Sequence, residues 1–224
     1  MNTKYCWDMS TKPSDKWLPY FEVYDRHLKD LYPKPKHLVE VGVQGGGSLE
    51  MWSNIYAGSC KITGIDIDPK CAELSYHSDM VSVIIGDQGA DDFWNEILPK
   101  LGKIDIFIDD GGHFMDQQIL TFEKVFPKLS VGGVYICEDT HTSYMEYNGG
   151  GLYRKTSFIE YSKRLIDTLH IGWFEELDSE QERLSKITKD LTSIHFYDSI
   201  IVFEKFGMKE MTRGFPEKFR HKET

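Results

Sequence analysis

Residues 37–48 read HLVEVGVQGGGS, an apolar strand-like run that leads into a glycine-rich turn. Glycines at such a turn let the backbone approach a ligand closely, and a helix that follows offers free N–H groups. Asp66 ends the next apolar run, where a carboxylate can take the ribose hydroxyls of a nucleoside. The turn lacks a full GxGxxG because position 44 is Gln44. It predicts a nucleoside site, and the alternative is a glycine turn that only packs.

Apolar runs alternate with helix-compatible segments along the chain. We predict strands at 37–43, 61–68, 81–87, 104–110 and 133–139. We predict helices at 48–56, 69–79, 91–101, 116–129, 156–169 and 181–189. This alternation is typical of an α/β fold with a mostly parallel sheet between helix layers. Residues 193–206 break at Tyr197 and Asp198, which predicts a terminal antiparallel hairpin.

The two ends of the chain differ from this central region, residues 37–206. Residues 1–36 predict an N-terminal helical cover, with Ser14 as a possible helix N-cap. Residues 207–224 form a polar C-terminal tail. We therefore expect one cofactor-binding domain between a cover and a tail.

Composition excludes several function classes. The 224 residues carry 36 acidic and 26 basic side chains, a net charge of −10, which disfavours nucleic acid or an anionic membrane as a partner. No apolar stretch approaches the roughly 18 to 20 residues that cross a bilayer, and no apolar signal segment begins the chain. The 4 cysteines are scattered and indicate reduced thiols. A cytoplasmic protein is expected.

The third predicted strand ends in Gly86, Asp87 and Gln88. Asp87 and Gln88 could hydrogen-bond an adenine edge, and Trp94 could stack on it. The structural alternatives are a helix N-cap for Asp87 and core packing for Trp94.

Carboxylates follow two strands that should be neighbours in the sheet. Asp110 ends the fourth strand, and Glu138 and Asp139 end the fifth. Parallel strands place their C-terminal residues at one edge, so the three carboxylates can converge, and they repel one another unless a cation lies between them. An all-oxygen set of this kind suits Mg²⁺.

Two histidines lie close to these carboxylates in sequence. His113 follows Asp110 by three residues and could take a proton from a metal-bound hydroxyl near neutral pH, and His141 is a rival for the same role. An iron-dependent oxygenase or hydroxylase would use both histidines and one carboxylate, although carboxylates outnumber histidines here. An NAD-type Rossmann oxidoreductase would share the glycine turn but not need the acidic cluster. Cofactor binding without turnover is a third alternative.

With these residues the chain resembles the class I S-adenosylmethionine-dependent methyltransferases. Within them it is similar to the metal-dependent macrolide and rhamnosyl sugar O-methyltransferases and their cephalosporin hydroxylase-like branch. The resemblance runs from about residue 14 to 206. It is carried by SDKW (14–17), YFEVYDRHL (20–28), VEVGVQGGGSLEMW (39–52), GIDIDP (64–69), IDDGGH (108–113), EDTHTSY (138–144) and SIHFYDSIIVFEK (193–205).

The resemblance implies a Rossmann-like, seven-stranded sheet of order 3-2-1-4-5-7-6, with S-adenosylmethionine over the first strand ends and a divalent ion beside it. It implies O-methylation of a sugar or glycosylated small molecule, with His113 and Asp110 as catalytic residues and a homo-oligomeric assembly. The implied metal ligands are Asp110, Glu138 and Asp139. The implied cofactor residues are Glu40, Gly42, Gln44, Gly46, Ser48, Asp66, Asp87, Gln88 and Asp109.

Two further expectations concern the acceptor side of the site. Residues 148–151 are glycine-rich and could form a lid over the acceptor. The aromatic residues Trp17, Tyr20 and Tyr24 could line an acceptor pocket, with core packing as the alternative.

Overall fold

Seven strands form one sheet in the part of the computed structural model that is described, residues 2–29, 31 and 35–207. The predicted tail lies outside the described residues from 208 onward. The strands are β1 (His37–Val41), β2 (Lys61–Asp66), β3 (Val81–Ile85), β4 (Ile104–Asp109), β5 (Leu129–Cys137), β6 (Ser193–Tyr197) and β7 (Ile200–Lys205). Their order is β3-β2-β1-β4-β5-β7-β6, as predicted.

The sheet is parallel up to β5 and antiparallel beyond it. The strand pairs β1–β2, β1–β4, β2–β3 and β4–β5 are parallel, whereas β5–β7 and β6–β7 are antiparallel. The parallel strands therefore end at one edge of the sheet, where the glycine turn and the acidic residues follow them. The predicted terminal hairpin is present as β6 and β7.

Helices cover both faces of the sheet. They are α1 (Thr3–Asp8), α2 (Tyr20–Leu28), α3 (Gly47–Tyr56), α4 (Asp91–Leu101), α5 (Met115–Val125), α6 (Phe158–Thr168) and α7 (Ser179–Ile187). None of the helices in the described residues is long and apolar enough to span a bilayer.

Alternate side chains of the strands pack into two cores. Leu38 faces the core under α2 and α3, while its neighbour Val39 faces the core under α4 to α7. Ile106 and Phe107 divide between the two cores in the same way. Successive side chains of a strand point to opposite faces of the sheet, and helices bury both faces. Neighbouring positions are therefore both apolar, which explains the continuous apolar runs in the sequence.

Three local predictions differ from the structure. Residues 69–79 contain only a short 3-10 turn, Pro69–Glu73, because the serine and aspartate side chains around it bond to nearby backbone groups instead of continuing a helix. Ser14 caps no helix, since its hydroxyl accepts a hydrogen bond from Trp7 and α2 begins at Tyr20. The strand β5 begins at Leu129, four residues earlier than predicted.

Candidate active site

A cleft of about 730 Å³ lies at the edge where the parallel strands end. A volume of this size accommodates a nucleoside-sized ligand. Its wall includes most of the residues that the sequence singled out: Gly42, Gln44, Ser48, Asp66, Asp87, Gln88, Asp110, His113, Glu138, Asp139 and His141. Three of the predicted cofactor residues, Glu40, Gly46 and Asp109, lie outside the lining, as do Tyr24 and Trp94.

The glycine turn after β1 is held by Asp66. Its Oδ2 accepts hydrogen bonds from the backbone N–H groups of Val43 (2.7 Å) and Gln44 (3.0 Å). Burial opposes the charge of Asp66, but backbone N–H donors outweigh it and lower the pKa of the carboxyl below its usual value. Gly42 has φ +93°, and a Cβ there would lie 1.9 Å from the carbonyl oxygen of Asp110. Glycine at this position therefore allows two strand ends to meet.

The N-terminal segment packs directly on the glycine turn. The N–H of Gly47, at the start of α3, donates to the carbonyl of Pro13 (3.1 Å). The carboxylate of Glu50 accepts hydrogen bonds from the backbone of Thr11 and Lys12 and from the Thr11 hydroxyl. The glycines thus serve chain packing on this side, which is the structural alternative considered for the turn.

Two residues predicted to contact the cofactor, Asp109 and Gln88, are hydrogen-bonded to each other, and only Gln88 reaches the lining of the cleft. The carboxylate of Asp109 is fully buried and accepts hydrogen bonds from Gln88 Nε2 (2.9 Å) and Tyr135 Oη (3.1 Å). The amide oxygen of Gln88, Oε1, accepts a hydrogen bond from the N–H of Gly112 (2.7 Å), so both ends of this amide are bonded within the protein. Burial raises the pKa of Asp109 to about 6. In this arrangement Asp109 supports the loop after β4 and does not reach the cleft.

Of the residues predicted to contact the adenine, Asp87 lies at the cleft and Trp94 lies in the core. Asp87 is exposed at the cleft, and its Oδ1 accepts from the N–H of Gly89 (2.7 Å). Trp94 is fully buried, and its indole N–H donates to the carbonyl of Gln88 (2.8 Å). Trp94 is therefore a core residue, and it offers no stacking surface.

Lys16 lies at the centre of the buried carboxylates. Its Nζ is 2.6 Å from Asp110 Oδ2, 3.0 Å from Glu138 Oε2 and 3.2 Å from Glu40 Oε1, and its side chain is only 2% exposed. Burial opposes the charge of Lys16, but the carboxylates outweigh it and hold the pKa of the ammonium well above its usual value. One ammonium faces three carboxylates, so a negative charge remains.

The remaining negative charge shifts the titration of the acids. Burial, together with the charge of Asp110, raises the pKa of Glu138 well above its usual value. Burial also raises the pKa of Asp110 and of Glu40. The second oxygen of Glu40 accepts from the indole N–H of Trp52 (2.9 Å), so Glu40 faces the core under α3. A cluster with excess negative charge of this kind favours a bound cation.

Helix α2 presents two tyrosines to the acidic pair after β5. The hydroxyl of Tyr24 donates to Glu138 Oε1 (2.6 Å), and the hydroxyl of Tyr20 lies 2.7 Å from Asp139 Oδ1 and 2.8 Å from Ser199 Oγ. Both tyrosines are buried, so they orient carboxylates and pack in the core; neither is an open acceptor surface. Trp17, by contrast, is 60% exposed at the cleft wall.

Asp110, His113 and Asp139 offer ligand atoms that all lie within 4.8 Å of one another. His113 Nε2 is 3.5 Å from Asp139 Oδ2 and 3.9 Å from Asp110 Oδ1, and its buried Nδ1 has no hydrogen-bond partner among the described residues. The carboxylate oxygens of Asp110 and Asp139 are ligands that fit Mg²⁺, and His113 lies beside them. Glu138 is not part of this group of three, because its two oxygens face Lys16 and Tyr24.

His141 stands farther from the acids than His113 does. Its Nδ1 is hydrogen-bonded to Ser199 Oγ at 2.5 Å and lies 4.0 Å from Asp139 Oδ1. Its ring meets Trp17 edge-on at 6.2 Å between centroids. His141 therefore belongs to the rim of the cleft.

The glycine-rich stretch after the acidic pair is a closed turn in this structure. The N–H groups of Gly150 and Gly151 donate to the carbonyls of Met145 and Ser143, and the Asn148 side chain donates to the carbonyl of His113. These bonds tie the turn to the site. A lid motion here stays a prediction.

Known proteins resemble this chain in sequence and in fold, although no protein-family model matches it. It is 32% identical over 204 residues to the 8-demethyl-8-α-L-rhamnosyl tetracenomycin-C 2'-O-methyltransferase of Streptomyces olivaceus, over 86% of this chain and 52% of that protein. It is 31% identical over 195 residues to the mycinamicin VI 2''-O-methyltransferase of Micromonospora griseorubida, over 81% of this chain and 47% of that protein. The chain therefore spans about half the length of these relatives.

Among solved structures, the MycE methyltransferase of the mycinamycin pathway, in complex with Mg, SAH and mycinamycin VI, matches with a TM-score of 0.79. The two chains are 26% identical, and the match covers 97% of this chain and 57% of that one. The chain is a homologue of sugar O-methyltransferases. Its sheet, of order 3-2-1-4-5-7-6, is that of the Rossmann-like class I methyltransferases.

Sequence reasoning missed the role of Lys16 in this methyltransferase homologue. The SDKW string was recognised, but no partner was assigned to its lysine. A signal was present, because several acids predicted to converge in a buried site require a counter-charge, and Lys16 lies in the segment predicted to cover it. The structure pairs Lys16 with Glu40, Asp110 and Glu138.

Proposed function

We propose that the chain is an S-adenosylmethionine-dependent and divalent-metal-dependent O-methyltransferase that acts on a hydroxyl of a sugar or a glycosylated small molecule. The observation that carries this proposal is the placement of Asp110, His113 and Asp139 in one cleft with the glycine turn and Asp66. The turn and Asp66 suit the nucleoside, and the acids suit a cation beside it. The named activities of the relatives support the same assignment.

Asp110, Glu138 and Asp139 would hold the metal ion. Asp110 Oδ1 and Asp139 Oδ2 face His113, whereas each oxygen of Glu138 already accepts one hydrogen bond. A carboxylate oxygen has a second lone pair, so Glu138 can bind a cation while it keeps Lys16. When bound, S-adenosylmethionine supplies an electrophilic methyl group and Mg²⁺ lowers the pKa of an acceptor hydroxyl.

His113 is the general base in this proposal. Its Nε2 accepts the proton of the acceptor hydroxyl, and the Asp139 carboxylate 3.5 Å away stabilises the resulting imidazolium. The turn around Gly42 and Asp66 orients the cofactor, and Trp17 offers an aromatic face at the rim for the sugar. Positioning and exclusion of water then account for most of the rate enhancement.

Binding is tested by isothermal titration of S-adenosylmethionine and S-adenosylhomocysteine into EDTA-treated protein, with and without Mg²⁺. We expect both nucleosides to bind, and a separate Mg²⁺ heat that is lost in Asp110→Ala. If neither nucleoside binds, the proposal fails, and titration with NAD(H) tests the oxidoreductase alternative.

Catalysis is tested by transfer of labelled methyl groups to a panel of rhamnosides and other glycosides. His113→Asn should lower kcat by about 10²- to 10⁴-fold, because the proton acceptor is lost. His141→Asn is the matched control and should retain activity within about tenfold, since that ring lies at the rim. Equal losses in the two variants would contradict the assignment of His113.

A further inference from the structure

A second cluster of metal-binding side chains lies outside the cleft. His27 on α2, His195 on β6 and Glu204 on β7 offer ligand atoms that all lie within 4.8 Å of one another. His27 Nδ1 is 2.7 Å from Glu204 Oε1, and His195 Nε2 is 3.2 Å from Glu204 Oε2. These residues connect α2 to the antiparallel edge of the sheet, and none of them lines the cleft.

We propose that His27, His195 and Glu204 form a binding site for a transition-metal ion such as Zn²⁺, independent of the proposed methyl transfer. Two imidazoles and one carboxylate are a donor set that suits zinc and disfavours Mg²⁺, which prefers oxygen ligands. Three protein ligands leave a fourth position, which water or the hydroxyl of Ser193, 3.1 Å from His195 Nε2, can fill.

Glu204 presents both of its carboxylate oxygens to the imidazoles of the cluster, and its Oε2 also accepts a hydrogen bond from the hydroxyl of Ser193. Its side chain is 15% exposed and that of His195 is 36% exposed, which gives an ion a path from solvent.

Tyr197 supplies an outer-shell partner for the inner histidine. The Nε2 of His27 lies 2.8 Å from the hydroxyl of Tyr197, while its Nδ1 faces Glu204. Without an ion, the 2.7 Å contact with the Glu204 carboxylate requires the ring proton of His27 on Nδ1. Metal binding would move that proton to Nε2, where the hydroxyl of Tyr197 can accept it, and would direct the lone pair of Nδ1 at the ion. Metal-binding histidines are commonly oriented by a partner on the second ring nitrogen in this way.

An ion here would fix the helix that supports the candidate active site. Tyr20, Tyr24 and His27 are spaced by four and three residues, so they share one face of α2. The first two bond to Asp139 and Glu138, and the third belongs to the new site. The ion would thus anchor α2 to β6 and β7.

The test is calorimetric titration of Zn²⁺ into metal-free protein in excess Mg²⁺, which competes for the cleft acids. We expect one Zn²⁺ per chain, at least tenfold weaker binding in Tyr197→Phe, and loss of binding in His195→Asn. His77→Asn, at an exposed histidine elsewhere, is the matched control and should bind as the wild type does. His195 is half-buried, so its variant should fold even if His27→Asn does not.

A cleft variant separates the two sites. His113→Asn combined with Asp139→Asn should keep the Zn²⁺ heat, and Zn²⁺ at a hundredfold excess over Kd should raise Tm by about 5 to 10 °C in the wild type but not in His195→Asn. Visible absorption of Co²⁺ in place of Zn²⁺ should follow the same pattern. Absence of binding in the wild type, or binding that survives His195→Asn and is lost in the cleft variant, would overturn the proposal.

Discussion

Replacing Lys16 by methionine removes a buried ammonium and keeps a side chain of similar length. Three carboxylates, on Glu40, Asp110 and Glu138, then lose a charge partner within 3.2 Å. Breaking a buried ion pair on one side costs about 3 to 5 kcal/mol, because the other charge stays buried without compensation. For a chain of this size, Tm should fall by about 6 to 20 °C.

The assay is urea unfolding of wild type and Lys16→Met in EDTA, so that no divalent ion replaces the ammonium. Lys163→Met is the matched control: Lys163 pairs with Glu160 on the surface, and its loss should change the free energy of unfolding by less than about 0.5 kcal/mol. Adding Glu138→Gln to Lys16→Met should restore part of the stability, since it removes one uncompensated charge.

The destabilisation should depend on pH with a defined sign. The pKa of Glu138 is raised in the folded protein, so its contribution to stability is present at low pH and is lost as pH rises through the folded value. The charge of Lys16 lowers that pKa, and its removal raises it further. The deficit of Lys16→Met should therefore grow over the pH range above the folded pKa of Glu138 in the wild type, where the wild type holds this carboxylate charged and the variant resists ionising it. A variant that unfolds at the wild-type urea concentration throughout this range would refute the reasoning.

Two more substitutions test the floor of the cleft. Gly42→Ala should lower the free energy of unfolding by about 3 kcal/mol or more, because its Cβ meets the Asp110 carbonyl at 1.9 Å. Gly58→Ala also has a positive φ but open space around it, so we expect about 1 to 2 kcal/mol; equal urea midpoints for the two variants would contradict the close approach. The pKa of Asp109 is raised to about 6, so its stabilising contribution is lost as pH rises from about 4 through 6. Asp109→Asn should be more stable than wild type at pH 7 and less pH-dependent, with Tyr135 turning its hydroxyl to accept; unchanged thermal curves from pH 4 to 7 would argue against this.

The sheet was predictable because its signal is local. Runs such as 37–43 and 104–110 are apolar on both faces, and each is followed by glycine or acid, which marks a buried parallel strand and the edge where it ends. The strand order followed from the family resemblance and is confirmed. The prediction of a helix at residues 69–79 was wrong, because the segment forms only a short 3-10 turn. Serine and aspartate side chains there bond to backbone N–H groups that a longer helix would use.

The side-chain network was not predictable from spacing alone. The amide of Gln88, at the cleft wall, bonds to Asp109, a pairing that depends on a buried carboxylate 21 residues away. Lys16 meets Asp110 and Glu138 across 94 and 122 residues. Local patterns carry no information about pairings over such distances, so the acids were foreseen and their ammonium partner was not.

Helix α2 also has a consequence for the order in which the protein assembles. Its residues are synthesised before their partners, since Tyr20 bonds to Ser199 and His27 bonds to Glu204, which follow them by 179 and 177 residues. Both partners belong to β7 or to the turn before it, and β7 pairs with β5 and β6. Helix α2 therefore completes these contacts only after β7 has been synthesised, and the acidic pocket stays open on the side of α2 until then.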